Sequence, residues 1–267
     1  MNHATTPPHR PDARNAPDAP GVPRTPAKPA APGPRHGAGA PHGPGVRVAV
    51  LGVLLLGAAA LSGLVVRSDV ADPPFQRMDD RWLAWMGGPH DGPYAVLAAA
   101  LNWFGGPLGV VVPLALLVLL LVRGRRVSAA FLFFVYVGGN MAVVQGLKHL
   151  VDRPRPEHPL VRVDHGSFPS GHAATAALLV VLVGALLVPA ARRRAWWPAG
   201  AVFTLAMMWS RTWLHAHWLS DTVAGAAAGA GAGLLAWWLC RGALARERVR
   251  VHDRRGAAAD APQRAAV

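Results

Sequence analysis

Hydrophobic residues in this chain are gathered into long, nearly charge-free blocks, such as 48–66 and 107–122, separated by short polar stretches. A helix with one wet face would instead show polar residues in every turn. A bilayer crossing needs roughly 20 apolar residues, and the pattern predicts six spans at about 46–66, 107–122, 127–150, 170–188, 195–213 and 217–240. The second is the least regular, because the apolar stretch 94–122 is long for one crossing and is broken by Gly105, Gly106 and Pro107. The predicted fold is all-α, a six-transmembrane-helix bundle. After the first span comes a polar stretch with Asp69, Asp72, Asp79 and Asp80, and within it an amphipathic piece from Met78 to Met86. That piece is expected at the membrane interface, with Trp82 and Trp85 at headgroup level.

The ends of the chain read differently. Residues 1–45 are rich in Pro, Gly, Ala and scattered Arg with almost no large apolar side chain, so they are expected to be disordered. A secretory leader is the poorer reading of the block that follows, since both its preface and its apolar run are too long. The expected organisation is a tail at 1–45, a membrane domain at 46–240 and a basic tail at 241–267.

Charge then gives the orientation. With the N-terminus inside, the cytoplasmic segments hold 19 Lys and Arg against 5 Asp and Glu, and the opposite side holds 8 against 9, as the positive-inside rule requires. Both termini are expected in the cytoplasm. The ends of spans 3 and 5 and the starts of spans 4 and 6 then meet on the extracytoplasmic face. The net charge of +13 invites a nucleic-acid reading, but the basic residues cluster beside apolar blocks rather than along one face. Arg246, Arg248, Arg250, Arg254 and Arg255 in the C-terminal tail suit anionic lipid better. Cys240 is the single cysteine, so neither an intramolecular disulfide nor a cysteine-rich metal site is available.

Three clusters fall on the outer face: KHLVDRPRP at 148–156, FPSGH at 168–172 and SRTWLHAHWLSD at 210–221. Each has a bland reading when taken alone. Lys148 suits a snorkelling helix end, Arg153 and Arg155 suit loop charges, and Ser170 suits an N-cap. Yet a helix N-terminus also offers free N–H groups to a phosphate, and His172 sits in that first turn. His217 and Asp221 lie four apart, so on one helix they share a face, and the carboxylate would fix the imidazole tautomer and leave the other nitrogen as a nucleophile. An ionisable pair at a membrane helix end is functional by default. His149 and His215 are weaker members. Phosphate is the ligand that uses Lys148, Arg155, Arg211, the helix start and both histidines together. No local spacing of His, Asp and Glu resembles a metal-ligand pattern, so no metal and no cofactor is expected.

These residues resemble the signature of the type 2 phosphatidic acid phosphatase (PAP2) superfamily, K-x6-R-P, P-S-G-H and S-R-x5-H-x3-D. It reads here as Lys148 to Arg155-Pro156, Pro169-Ser170-Gly171-His172, and Ser210-Arg211 to His217 and Asp221, with every spacing intact. The resemblance covers about residues 46–240. It implies a metal-independent membrane phosphatase in which His217 attacks phosphorus and becomes phosphohistidine. Asp221 would orient it, and His172 would protonate the leaving oxygen and later activate water. Lys148, Arg155, Ser170, Gly171 and Arg211 would bind the phosphate oxygens. The expected partners are membrane lipids and a lipid phosphate or diphosphate, with no nucleic acid. Undecaprenyl diphosphate is the first expectation for a chain of this bacterial-looking composition, beside phosphatidic acid and phosphatidylglycerol phosphate. The alternative is a non-catalytic lipid-phosphate binder or transporter, which would not need both histidines with Asp221.

Overall fold

Within lipid every backbone N–H and C=O must be satisfied inside its own segment, which drives apolar blocks into helices. The computed structural model describes residues 45–265, and among them it holds α-helices, one π-helical stretch and a 3-10 turn, with no strand. The segment expected to be disordered lies, apart from Gly45, outside the described residues. The helices are α1 (Val46–Ser68), α2 (Gln76–Trp85), α3 (Gly92–Gly105), α4 (Leu108–Val122), α5 (Arg126–Gly138), α6 (Gly146–Val151), α7 (Gly171–Leu186), α8 (Arg193–Trp213) and α9 (Leu219–Ala265). The third expected span is one stretch in which α5 passes through a π-helical segment, Gly139–Gln145, into α6.

Among the described residues, Val46–Ser68, Arg126–Val151 and Leu219–Arg254 are long and apolar enough to cross a membrane. The pair α3 and α4, bent by 52° at the Gly106-Pro107 break, makes a fourth if it is one span. Helix α4 matches the expected second span, and the apolar stretch before the break is a helix of its own. Helix α7 has 16 residues, about 24 Å at 1.5 Å per residue, short of the ~30 Å hydrocarbon core. Helix α8 carries Arg193 and Arg194 at one end and Arg211 at the other.

Helix α7 is buried on all sides from Ala173 to Leu179, as a helix apolar all round must be. Helix α9 packs on it and on α1. The glycine-rich run in α9 is the seam within the bundle. A Cβ at Gly229 would stand 2.0 Å from the Ala174 carbonyl oxygen, and one at Gly225 would stand 2.4 Å from that of Ser170. Gly231 faces the other way, with its Cβ position 2.8 Å from the Gly52 oxygen of α1. Such small-residue contact lets the backbones touch and sets the start of α7 beside the start of α9. The Ser170 N–H donates to the Asp221 carbonyl at 2.9 Å.

Residue 240, where the membrane domain was expected to end, is not a break, because α9 runs through it. At 247 the buried Glu247 carboxylate accepts from the N–H groups of Val127 (2.5 Å) and Ser128 (2.9 Å), so it caps the positive N-terminal end of α5.

Candidate active site

The site grows from three segments that the α7–α9 seam brings to one end of the bundle. The first is the start of α7. Ser170 is the N-cap residue in extended conformation, yet its side chain makes no capping hydrogen bond. Its hydroxyl is buried without a partner. A serine kept only as a cap would use that oxygen on the N–H of N2 or N3, so this hydroxyl is left for another acceptor. Gly171 opens the helix and His172 follows, its Nε2 at 3.3 Å from the Asn102 carbonyl oxygen. Gly105 of α3 lies against the imidazole, since a Cβ there would stand 2.1 Å from His172 Cδ2.

The second segment is the turn between α8 and α9, and it corrects one expectation. His217 does not share a helical face with Asp221. Helix α8 ends at Trp213, His215 adopts a left-handed φ of 52°, and α9 begins only at Leu219. The His217 Nδ1 is 2.7 Å from the Ser167 carbonyl oxygen and 3.7 Å from the nearer Asp221 oxygen. Asp221 is already engaged, with Oδ2 accepting the Trp218 N–H at 2.9 Å and Oδ1 accepting Arg153 Nη1 at 2.7 Å. The first contact is one half of a capping box, N3 carboxylate to N-cap N–H. A carbonyl can only accept, so the Ser167 contact puts the proton on Nδ1 and leaves a lone pair on Nε2. The expected tautomer thus stands on a different anchor. Burial pushes the His217 pKa down to about 4; Asp221 opposes the shift, and Arg211 and Arg155 add to it. The ring is neutral at pH 7.

The third segment, the end of α6 and the loop after it, supplies two cations, and Arg211 at the end of α8 supplies another. Lys148, 3% exposed, lies in the last turn of α6 and places Nζ 3.0 Å from both oxygens of Asp164. Arg155 donates from Nε to the Asp164 carbonyl (2.9 Å) and from Nη1 to the Ala216 carbonyl (2.5 Å), and it pairs with the Asp164 carboxylate through Nη2. Its Nη1 also stands 3.3 Å from His217 Nε2. Burial alone would raise the pKa of Asp164, but the Lys148 hydrogen bond and the charges of Lys148 and Arg155 outweigh it and hold the carboxyl below its usual range. Arg211, 2% exposed, donates from Nη1 to Asn102 Oδ1 at 2.5 Å. Its Nε is buried without a partner, and it forms no ion pair with any carboxylate among the described residues.

A buried guanidinium with unmatched donors, a buried free hydroxyl and a helix N-terminus are groups suited to hold an anion. Lys148, Arg155, Ser170, Gly171, His172, Arg211, His217 and Asp221 all belong to these three segments. His149 stacks with His165 and His215 with His90, at centroid distances of 4.9 and 5.1 Å, and neither joins the cluster by a hydrogen bond among the described residues. No group of three or more His, Cys, Asp or Glu among the described residues is arranged to hold a metal.

Reading by motif passed over three residues. Asn102 touches both Arg211 and His172, and its signal was an amide inside an otherwise apolar stretch. Asp164 lies between the first two clusters and belongs to no motif. Arg153, 1% exposed, is a core residue rather than a loop charge.

Comparison with known proteins agrees with the motifs. Residues 129–244 match the PAP2 superfamily model. The chain is similar to the crystal structure of the first transmembrane PAP2-type phosphatidylglycerolphosphate phosphatase from Bacillus subtilis, with 20% identity and a TM-score of 0.59. That match covers 72% of this chain and 94% of the other. No curated protein sequence matches significantly.

Proposed function

We propose that this chain, a PAP2 superfamily protein through residues 129–244, is an integral membrane phosphatase that hydrolyses a phosphomonoester or diphosphate on a lipid. The observation that carries the reading is Arg211: a buried cation with an unpartnered Nε and no carboxylate in contact, in the segment that also holds His217. The anion it calls for sits where phosphate chemistry has its other parts. Six crossings are read from the six apolar blocks of the sequence, and both termini in the cytoplasm with an extracytoplasmic site from the charge asymmetry that this topology creates. The lipid tail then stays among apolar helices while the phosphate enters from the interface.

His217 Nε2 attacks phosphorus, an N–P bond forms, and the bond from phosphorus to the leaving oxygen breaks as His172 delivers its proton to that oxygen. In the second half, His172 takes a proton from water, the water oxygen attacks phosphorus, and the N–P bond breaks to release phosphate and neutral His217. Lys148, Arg155 and Arg211, with Ser170 and the first N–H groups of α7, neutralise the equatorial oxygens, the task a divalent cation performs in many phosphoryl-transfer enzymes. Asp221 holds the turn that carries the nucleophile. Undecaprenyl diphosphate, phosphatidic acid and phosphatidylglycerol phosphate all present such a group above an apolar tail.

The test is phosphate release from these three lipids by purified protein with EDTA present, beside a His217→Ala variant. Release that survives EDTA and disappears in the variant is expected. Equal release by the variant, or lipid binding without release by folded protein, would return the reading to a lipid-phosphate binder or transporter.

A further inference from the structure

Arg153 has no part in the scheme above, yet it is the largest fully buried side chain among the described residues. Its Nη1 donates to Asp221 Oδ1 at 2.7 Å and to the Ser220 hydroxyl at 2.8 Å. Its Nη2 donates to Asp79 Oδ2 at 2.9 Å and to Gln76 Oε1 at 2.5 Å. The guanidinium carbon lies 5.3 Å from the Trp218 ring centroid and 5.8 Å from that of Phe75. Asp79 in turn accepts the Ser220 N–H at 2.9 Å and the Ser220 hydroxyl at 2.6 Å. One side chain therefore joins α2, the loop after α6 and the first turn of α9, and all three ionised members are shielded from solvent.

Resting on the phosphatase reading, we infer that Arg153, clamped by Asp79 of α2, is a positioning residue: it fixes the Asp221 carboxylate and, through it, the turn that carries His217. Stability alone does not call for this arrangement, because buried ion pairs are often no better than packed apolar side chains. The chemistry does call for it. Asp221 holds the Trp218 N–H and stands 3.7 Å from His217 Nδ1. With Arg153 absent its charge loses its hydrogen-bonded counter-ion, keeps only the more distant Lys148 and Arg155 among the cations, and favours the imidazolium, which has no lone pair on Nε2. The other groups acting on His217 are Arg211 of α8, Arg155 and His172, and none of them contacts Arg153. Helix α2 thereby becomes part of the catalytic apparatus rather than a surface ornament.

The experiment uses the full-length protein in lipid nanodiscs, with Arg153→Gln, Arg153→Lys, Asp79→Asn and the Arg153→Gln/Asp79→Asn double variant. Turnover is measured together with the titration of the His217 ring nitrogens by NMR. Arg153→Gln is expected to lower kcat by about 10- to 100-fold, the usual effect of removing an outer partner, with KM changed by less than about threefold. It should also raise the His217 midpoint by about one unit. Arg153→Lys restores part of both. Asp79→Asn lowers kcat in the parent protein and adds little to Arg153→Gln, as coupled residues do. A His217 midpoint unmoved in folded Arg153→Gln, or an Asp79→Asn effect of equal size in both backgrounds, overturns the inference. If Arg153→Gln does not fold, unchanged kcat in Arg153→Lys overturns it. The titration needs no turnover, so a parent protein inactive on every lipid defeats the phosphatase reading while the shift still decides the role of Arg153.

Discussion

Arg153 and Arg211 are buried to almost the same degree, 1% and 2% exposed, and they differ in what they meet. Arg153 meets carboxylates at 2.7 and 2.9 Å. Arg211 meets an amide oxygen and no carboxylate among the described residues, while the Nε of each arginine is buried without a partner. Burial therefore does not separate a structural charge from a ligand-binding one; what separates them is whether the fold itself supplies the counter-ion. Asp79 and Asp221 balance Arg153 within the protein, whereas no carboxylate among the described residues pairs with Arg211.

Four measurements probe the difference between the two arginine environments and the site they flank, the most severe change first. Removing the nucleophile with His217→Ala is expected to lower phosphate release by roughly ten-thousand-fold, as loss of one member of a catalytic unit does, measured as steady-state turnover with EDTA. Next, the two arginines should separate activity from stability. Arg211→Met is expected to cut kcat/KM by about 100- to 1,000-fold while leaving thermal unfolding unchanged or raised, since an unmatched buried charge is removed. Arg153→Met should cost about 3–5 kcal/mol of stability, because Asp79 and Asp221 lose their partner. Similar stability losses in the two variants would erase the distinction.

The acid limb is the third. The folded pKa of His217, about 4, lies below the ordinary value near 6.5. The unfolded chain therefore binds the proton first, and the contribution of His217 to stability is full above about 6.5 and fades as pH falls toward 4. Nucleophilic competence follows the folded value, so kcat at saturating lipid should hold to about pH 5, a pH–rate profile being the check. The smallest effect belongs to Asp164, whose side chain is 58% exposed and bridges Lys148 and Arg155. Asp164→Asn frees both cations for phosphate and should lower the inhibition constant of inorganic phosphate by about threefold, the scale of an exposed ion pair.

Much of this was legible in the chain itself. The three clusters and their spacing picked out residues that fall in segments gathered at one end of the bundle, because that signal is local. The His217–Asp221 relation was misread because a four-residue spacing implies one face only if the helix continues, and the left-handed His215 ends it. Asp79 and Asn102 escaped notice for another reason: their partners lie 74 and 109 positions away, and no periodicity reports contacts at that range. Arg153 resembled a loop charge since its burial depends on α2, an element that looked purely interfacial.

In the proposed scheme His217 Nε2 carries the phosphoryl group between the two half-reactions. Rapid quench of the full-length protein during turnover of a lipid phosphate, under conditions that preserve N–P bonds and with peptide mass spectrometry as the readout, tests it most directly. The account requires phosphate on His217, formed and lost at rates that match turnover and absent from His217→Ala. Turnover with no phosphorylated histidine on that time scale, or phosphate on His172 instead, would contradict it.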